Sequence, residues 1–191
     1  MGRVYEELDQ ALARFVSSQP IFFVATAPLV GGHVNYSPKS NNDELVVLDG
    51  RRVAYLDRTG SGAETIAHLR EEGNGRIVLM FCAFEGPPRI LRLHGRGQVA
   101  FRDEAAFLEL AGSFRARSLE GSRSIVTVEV TRISDSCGYG VPLMAFEAHR
   151  RQADKWHAAK GEEGVRSYWA EKNSESLDGL LAVPRPTSAP R

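Results

Sequence analysis

The residues best suited to chemistry lie in Asp57-Arg58-Thr59-Gly60-Ser61-Gly62, between a strand-like run, Val53 to Leu56, and a helix-like run from Ala63 to Glu72. Two glycines let the backbone turn its N–H groups toward a ligand, the hydroxyls of Thr59 and Ser61 add donors, and the helix that follows presents its positive end. Arg58 supplies a fixed charge. About twenty residues earlier, Asn35-Tyr36-Ser37-Pro38-Lys39-Ser40 offers a second set of hydroxyls and a cation at a strand end. This combination suits a phosphate-bearing ligand, whose buried charge needs cations and donors in place of its hydration. A simpler reading covers part of the same residues. Ser61 and Glu64 have capping-box spacing, and a helix cap alone accounts for them at about 1 kcal/mol. Lys39 taken by itself reads as a solvated strand end.

Other reactive side chains form no comparable group. The five histidines, at 33, 68, 94, 149 and 157, show no HxH or HExxH spacing, which argues against zinc. His68 reads as a surface residue of the helix after the turn, and His94 shares a polar strand face with Arg92 and Arg96. Cys82 sits in an apolar run as a small core residue, and Cys137 lies in a glycine-bordered loop. The two cysteines form neither a disulfide framework nor a CxxC motif, which fits a reducing cytoplasm.

These residues must be held by a scaffold of modest size. The 191 residues suffice for one domain with a C-terminal addition. The 24 basic and 24 acidic residues cancel, so no overall field draws in nucleic acid or an anionic membrane. The longest apolar run, Ile77 to Phe84, is eight residues, short of the roughly 18 that span a bilayer. Glu6, Glu7 and Asp9 interrupt the region where a signal peptide would place its apolar segment.

Apolar spacing predicts an amphipathic helix over residues 3–17, then strands Ile21 to Ala27 and His33 to Ser40 joined at Gly31-Gly32. Leu45–Leu48 and Arg52–Leu56 flank the hairpin dipeptide Asp49-Gly50. A helix over 62–72, ended by Gly73, precedes two long strands, Arg76 to Phe84 and Arg89 to Phe101; the first is apolar throughout and expected to be buried on both faces. In the second, Gly95 and Gly97 permit strong curling. A helix over 103–114, a strand from Ser124 to Ile133, and a polar helical stretch from Phe146 to Lys172 anchored by Trp156, Tyr168 and Trp169 complete the order. Hairpins dominate, so the fold class is mainly β, an antiparallel barrel with peripheral helices. The expected organisation is a barrel domain over 1–145, a helical extension over 146–182 and a disordered tail over 183–191.

The order of elements, the Ser37-Pro38-Lys39-Ser40 strand end and the strand–turn–helix from Val53 to Leu69 resemble the pyridoxamine 5′-phosphate oxidase-related family of FMN-binding split β-barrels, over roughly residues 5–135. The resemblance implies a homodimer with two FMN molecules at the subunit interface. It makes Lys39, Arg58 and Ser61 phosphate ligands within the turn that includes Gly60 and Gly62, and sets Ser37, Asp57 and Thr59 near the ribityl chain or ring edge. Arg89 and Arg92 would come from the partner subunit. The oxidase proper ends in a Trp-Ser-Pro-x-Arg segment that helps bind its vitamin B6 substrate; this chain carries Ser136-Cys137-Gly138-Tyr139-Gly140-Val141-Pro142 instead. The implied activity is flavin-dependent electron transfer to or from a small molecule of open identity, for which the flavin supplies the redox chemistry. Three alternatives stand beside it. One is the deazaflavin F420, with a basic channel from Arg115, Arg117 and Arg123; another is a non-enzymatic flavin- or haem-binding barrel; the last is a scaffold in which the turn is only a helix cap.

Overall fold

The structure of the protein, a computed structural model, describes residues 2–115 and 119–185. Eight strands form one antiparallel sheet: β1 (Val4–Tyr5), β2 (Ile21–Thr26), β3 (Asn35–Ser40), β4 (Leu45–Asp49), β5 (Arg52–Arg58), β6 (Arg76–Cys82), β7 (Ile90–Phe101) and β8 (Ser122–Ser136). The order is β3-β2-β6-β7-β8-β5-β4, with β1 paired to β8. The sheet curls into a half-barrel whose edges are β3 and β4. The ladder is irregular where β7 meets β8: the register shifts between His94 and Gly95, and a Cβ at Gly95 would lie 2.2 Å from the Glu129 carbonyl oxygen. That close approach of two backbones requires glycine.

Alternation along the strands separates the two faces. Phe22, Val24, Leu79, Phe81, Leu91 and Leu93 are buried on the inner face, each worth about 1.5–3 kcal/mol of burial. On the outer face Phe23, Val78 and Met80 are only half-buried, so within a single chain β6 is covered on one side and not on both.

Helix α1 (Gln10–Ser18) starts later than the predicted residue 3, because the Asp9 carboxylate accepts the Leu12 amide at 2.8 Å and fixes the first turn there. Val4, expected on that helix, is instead in β1 opposite Ser134 and is exposed. Helix α2 (Glu64–Arg70) is also shorter than predicted. Its N-cap is Ala63, with no side-chain cap bond, and the Glu64 carboxylate accepts the Leu177 amide at 3.1 Å. The Ser61–Glu64 capping box is therefore not formed: a distant segment has taken the carboxylate. His68 is buried, not on the surface; its Nδ1 is 2.9 Å from Thr26 Oγ1.

Helix α3 (Ala105–Ala111) packs Phe107 against Ala54, Leu56 and Ile125. Helix α4 (Gln152–Lys172) is broken at Gly161, whose φ of 66° and ψ of 172° are open to glycine alone. Beyond the break, Val165 and Trp169 pack on Ala63, Ile66 and Ala67 of the α2 region, together with Ala182 and Val183. Trp156 and Tyr168 meet edge to face at 5.0 Å. Val183, the first residue of the expected tail, is buried, and its amide donates to the Asn173 carbonyl at 2.9 Å. Residues 186–191 lie outside the described residues.

Candidate functional site

Asn35, Ser37 and Lys39 alternate along β3 on the inner face, paired in register with Thr26, Val24 and Phe22. From there they face across the mouth of the half-barrel. Asn35 Nδ2 donates to Thr65 Oγ1 at 2.9 Å, and Lys39 Nζ donates to Asp57 Oδ1 at 2.9 Å. Asp57 lies on the same inner face as Val53 and Tyr55 and is fully buried. Its second oxygen accepts Arg123 Nε at 2.6 Å, and Arg123 Nη2 continues to the Gly62 carbonyl at 2.8 Å. Burial alone would raise the Asp57 carboxyl, but the Arg123 guanidinium and the Lys39 ammonium outweigh it and hold the group at about 2. The trio carries one surplus positive charge at the barrel mouth, and Arg123 Nη1 is buried with no partner among the described residues.

The turn after β5 is held from the side of its carbonyls. Asn173 Nδ2 lies 3.0 Å from the Gly60 oxygen and 3.4 Å from that of Ser61, and Arg123 takes the oxygen of Gly62. Thr59 donates its amide and its hydroxyl to the Gly121 carbonyl at 2.9 and 2.8 Å, and its hydroxyl oxygen accepts Trp169 Nε1 at 2.8 Å. The amides of Gly60, Ser61 and Gly62 donate to no protein acceptor among the described residues, and all three residues are exposed. A Cβ on Gly60 would meet nothing within 4 Å. Thr59, Gly60 and Ser61 line a small pocket with Trp156, His157 and Tyr168, and free amides beside pinned carbonyls suit an acceptor there.

Arg58, next in the strand, points the other way. Its Nη1 lies 3.1 Å from Glu44 Oε1, and its Nη2 lies 2.7 Å from Asp154 Oδ1 and 3.4 Å from His157 Nδ1. It lines a separate cavity of about 460 Å³ beneath the start of α4, with His149, Arg150, Arg151 and His157. The structure thus links Lys39, Asp57 and, through Arg123, the Gly62 end of the turn, leaves Ser37 on the face of Lys39 with no hydrogen bond to the turn among the described residues, and assigns Arg58, expected among the phosphate ligands, to two carboxylates. Arg89 and Arg92 lie away from the turn. Arg89 Nη2 donates to the Tyr5 hydroxyl at 2.8 Å and to Asp135 at 3.0 Å, and Arg92 Nη1 donates to Ser136 Oγ at 3.0 Å. Of the basic channel considered for a deazaflavin, Arg115 is paired with Asp43 at 3.1 Å, Arg123 is bound to Asp57, and Arg117 lies outside the described residues. No group of three or more metal-ligating side chains occurs among the described residues.

A family model described as pyridoxamine 5′-phosphate oxidase matches residues 8–137. The chain belongs to the pyridoxamine 5′-phosphate oxidase family. A member of that family, the protein ustO of Aspergillus flavus, is 37% identical over 190 residues, covering 92% of this chain and 76% of the relative. Among solved structures, a variant of HupZ from Group A Streptococcus superposes with a TM-score of 0.51 at 20% identity, covering 68% of this chain and 99% of that one. That likeness concerns the fold. No helix among the described residues is long and apolar enough to cross a membrane.

Arg123, Trp169 and Asn173 of this family member were not singled out in the sequence as parts of the turn. Arg123 had one local signal, a charged residue at the start of a β-branched run that pairs in register beside Asp57. Asn173 had none, since its partners lie more than a hundred residues earlier.

Proposed function

We propose that this protein is an FMN-binding oxidoreductase that works as a homodimer, with the flavin phosphate seated on the amides of Gly60, Ser61 and Gly62. The observation that carries the reading is the turn itself, its carbonyls bound by Asn173 and Arg123 and its amides left for an outside acceptor. Lys39 supplies charge from the facing strand, and Ser37 and the Ser61 hydroxyl add donors. Asp57 keeps Lys39 and Arg123 in place without cancelling both. FMN, when bound, supplies the electron transfer, and the protein's residues bind and orient it. The half-buried outer face with Phe23, Val78 and Met80 is the surface we assign to the second subunit, with Arg92 and His94 beside it.

The absorption spectrum of the purified protein tests this directly. An FMN complex absorbs near ~450 nm and a deazaflavin nearer ~420 nm, and the mass of the released chromophore identifies it. Lys39→Ala combined with Ser61→Pro, which removes a cation and a free amide, is expected to abolish flavin retention. A protein that stays colourless and does not quench FMN fluorescence after incubation with excess FMN would overturn the assignment.

A further inference from the structure

We propose that His157 confines the flavin of this protein to a mononucleotide, as the partition between the slot beside the turn and the larger cavity behind it. The inference rests on the FMN reading above and adds to it which flavins the site refuses. The turn from Thr59 to Ser61 forms one side of the slot, and Trp156, His157 and Tyr168 of α4 form the other. Its volume, about 140 Å³, is below the roughly 300–1,000 Å³ of clefts that enclose a whole small molecule. At ~30 Å³ per water it corresponds to about five waters, which is space for a phosphate and not for a second phosphate with its nucleoside.

Space for the rest of a dinucleotide lies next door. His157 lines both the slot and the cavity of about 460 Å³ beneath the start of α4, so its side chain stands between them. The ring is fixed in that place. A Cβ on Gly121 would fall 2.1 Å from His157 Nδ1, so the imidazole packs directly on the Gly121 backbone, whose φ of 71° also favours glycine. Arg58 Nη2 lies 3.4 Å from the same Nδ1; a guanidinium can only donate, so Nδ1 accepts and the ring proton is on Nε2. On the slot side Trp156 meets His157 edge to face at 5.2 Å, and the Lys160 ammonium lies 5.3 Å over the Trp156 ring. A side chain wedged between backbone and indole does not swing aside at small cost. Discrimination against the larger flavin thus comes from a clash, not from better contacts to the smaller one. Since α4 follows the last strand of the sheet, the selectivity belongs to the helical extension and not to the barrel.

Calorimetric titration of the full chain with FMN, FAD and riboflavin tests the partition. FMN is expected to bind at least about thirtyfold more tightly than FAD. His157→Ala, which opens the slot into the cavity, should cut that ratio to about threefold or less, chiefly through tighter FAD binding, whereas His157→Gln, of similar volume, should preserve it. Ala153→Trp fills the slot from an exposed position on α4 and should bring FMN down to the affinity of riboflavin, so it carries the test where the alanine variant does not fold. Equal affinity of the wild-type protein for FMN and FAD, or a ratio unmoved in folded His157→Ala, would overturn the partition and leave the FMN reading standing. Unchanged FMN binding by Ala153→Trp would overturn the slot as the phosphate's place. Binding of neither FMN nor FAD to the wild-type protein would overturn the FMN reading and the partition together.

Discussion

Two adjacent residues at the end of β5 receive opposite treatment. Asp57, on the inner face, is a buried anion flanked by two cations, and all of its charge is answered at 2.6 and 2.9 Å. Arg58, on the other side, is a half-buried cation flanked by two anions, with one N–H and a neighbouring imidazole N–H left over. The first arrangement is a closed structural node that fixes the barrel mouth and the turn. The second is incomplete, with two N–H groups left buried and without acceptors among the described residues. Proximity in sequence to the turn therefore does not decide which of two charged neighbours packs with it; the face of the strand does.

The contrast breaks most severely at its closed end. Asp57→Asn leaves two cations beside a neutral amide, and a loss of about 3–5 kcal/mol in chemical denaturation is expected. The wild-type protein should show the corresponding acid limb. Asp57 sits at about 2 in the fold against an ordinary 3.8, so its contribution, about 2 kcal/mol, is complete above pH ~4 and lost as the pH falls toward 2. The variant should lack that limb, and an unchanged limb would place the acid sensitivity elsewhere.

At the open end, Arg58→Ala should cost less, about 1–3 kcal/mol, by leaving the buried Glu44 carboxylate unanswered. Burial raises Glu44, and Arg58 is the strongest of the groups that oppose it, so removing the arginine raises it further. A raised carboxyl stabilises the fold at low pH and loses that contribution as the pH rises. The deficit should therefore shrink between pH 7 and pH 5, which denaturation curves at both values would show.

Smaller effects separate the turn from its supports. Asn173→Ala and Trp169→Phe each remove one hydrogen bond to the turn, and each should weaken FMN binding about fivefold in a fluorescence titration, with Arg58→Ala much less perturbing. Ser61→Ala is the smallest. A capping serine would cost about 1 kcal/mol, but with Ala63 at the N-cap the stability should change by less than about 0.5 kcal/mol. A larger loss in thermal denaturation would restore the cap.

Much of the scaffold was legible because its signals are local. Gly31-Gly32 and Asp49-Gly50 mark hairpins that form between β2 and β3 and between β4 and β5, and the alternation of Leu91 and Leu93 with Arg92 and His94 reads out the two faces of β7. The turn itself was legible for the same reason. What failed depended on residues far along the chain. Leu177 claims the Glu64 carboxylate and so removes the capping box, and Thr26 receives His68 in the interior. Asp154 and Glu44 turn Arg58 into a paired charge. None of these partners leaves a mark within a few residues of the group it governs.

The supports of the turn also set an order of events. The sheet is complete once Ser136 has left the ribosome, since β8 is its last strand, whereas Trp169 and Asn173 follow the residues they hold by 110 and 113 positions. Barrel closure and locking of the turn are thus separate in time during synthesis. A nascent chain halted between those points would possess the finished sheet with a slack turn, and the finished sheet alone would be a poor guide to readiness for a ligand.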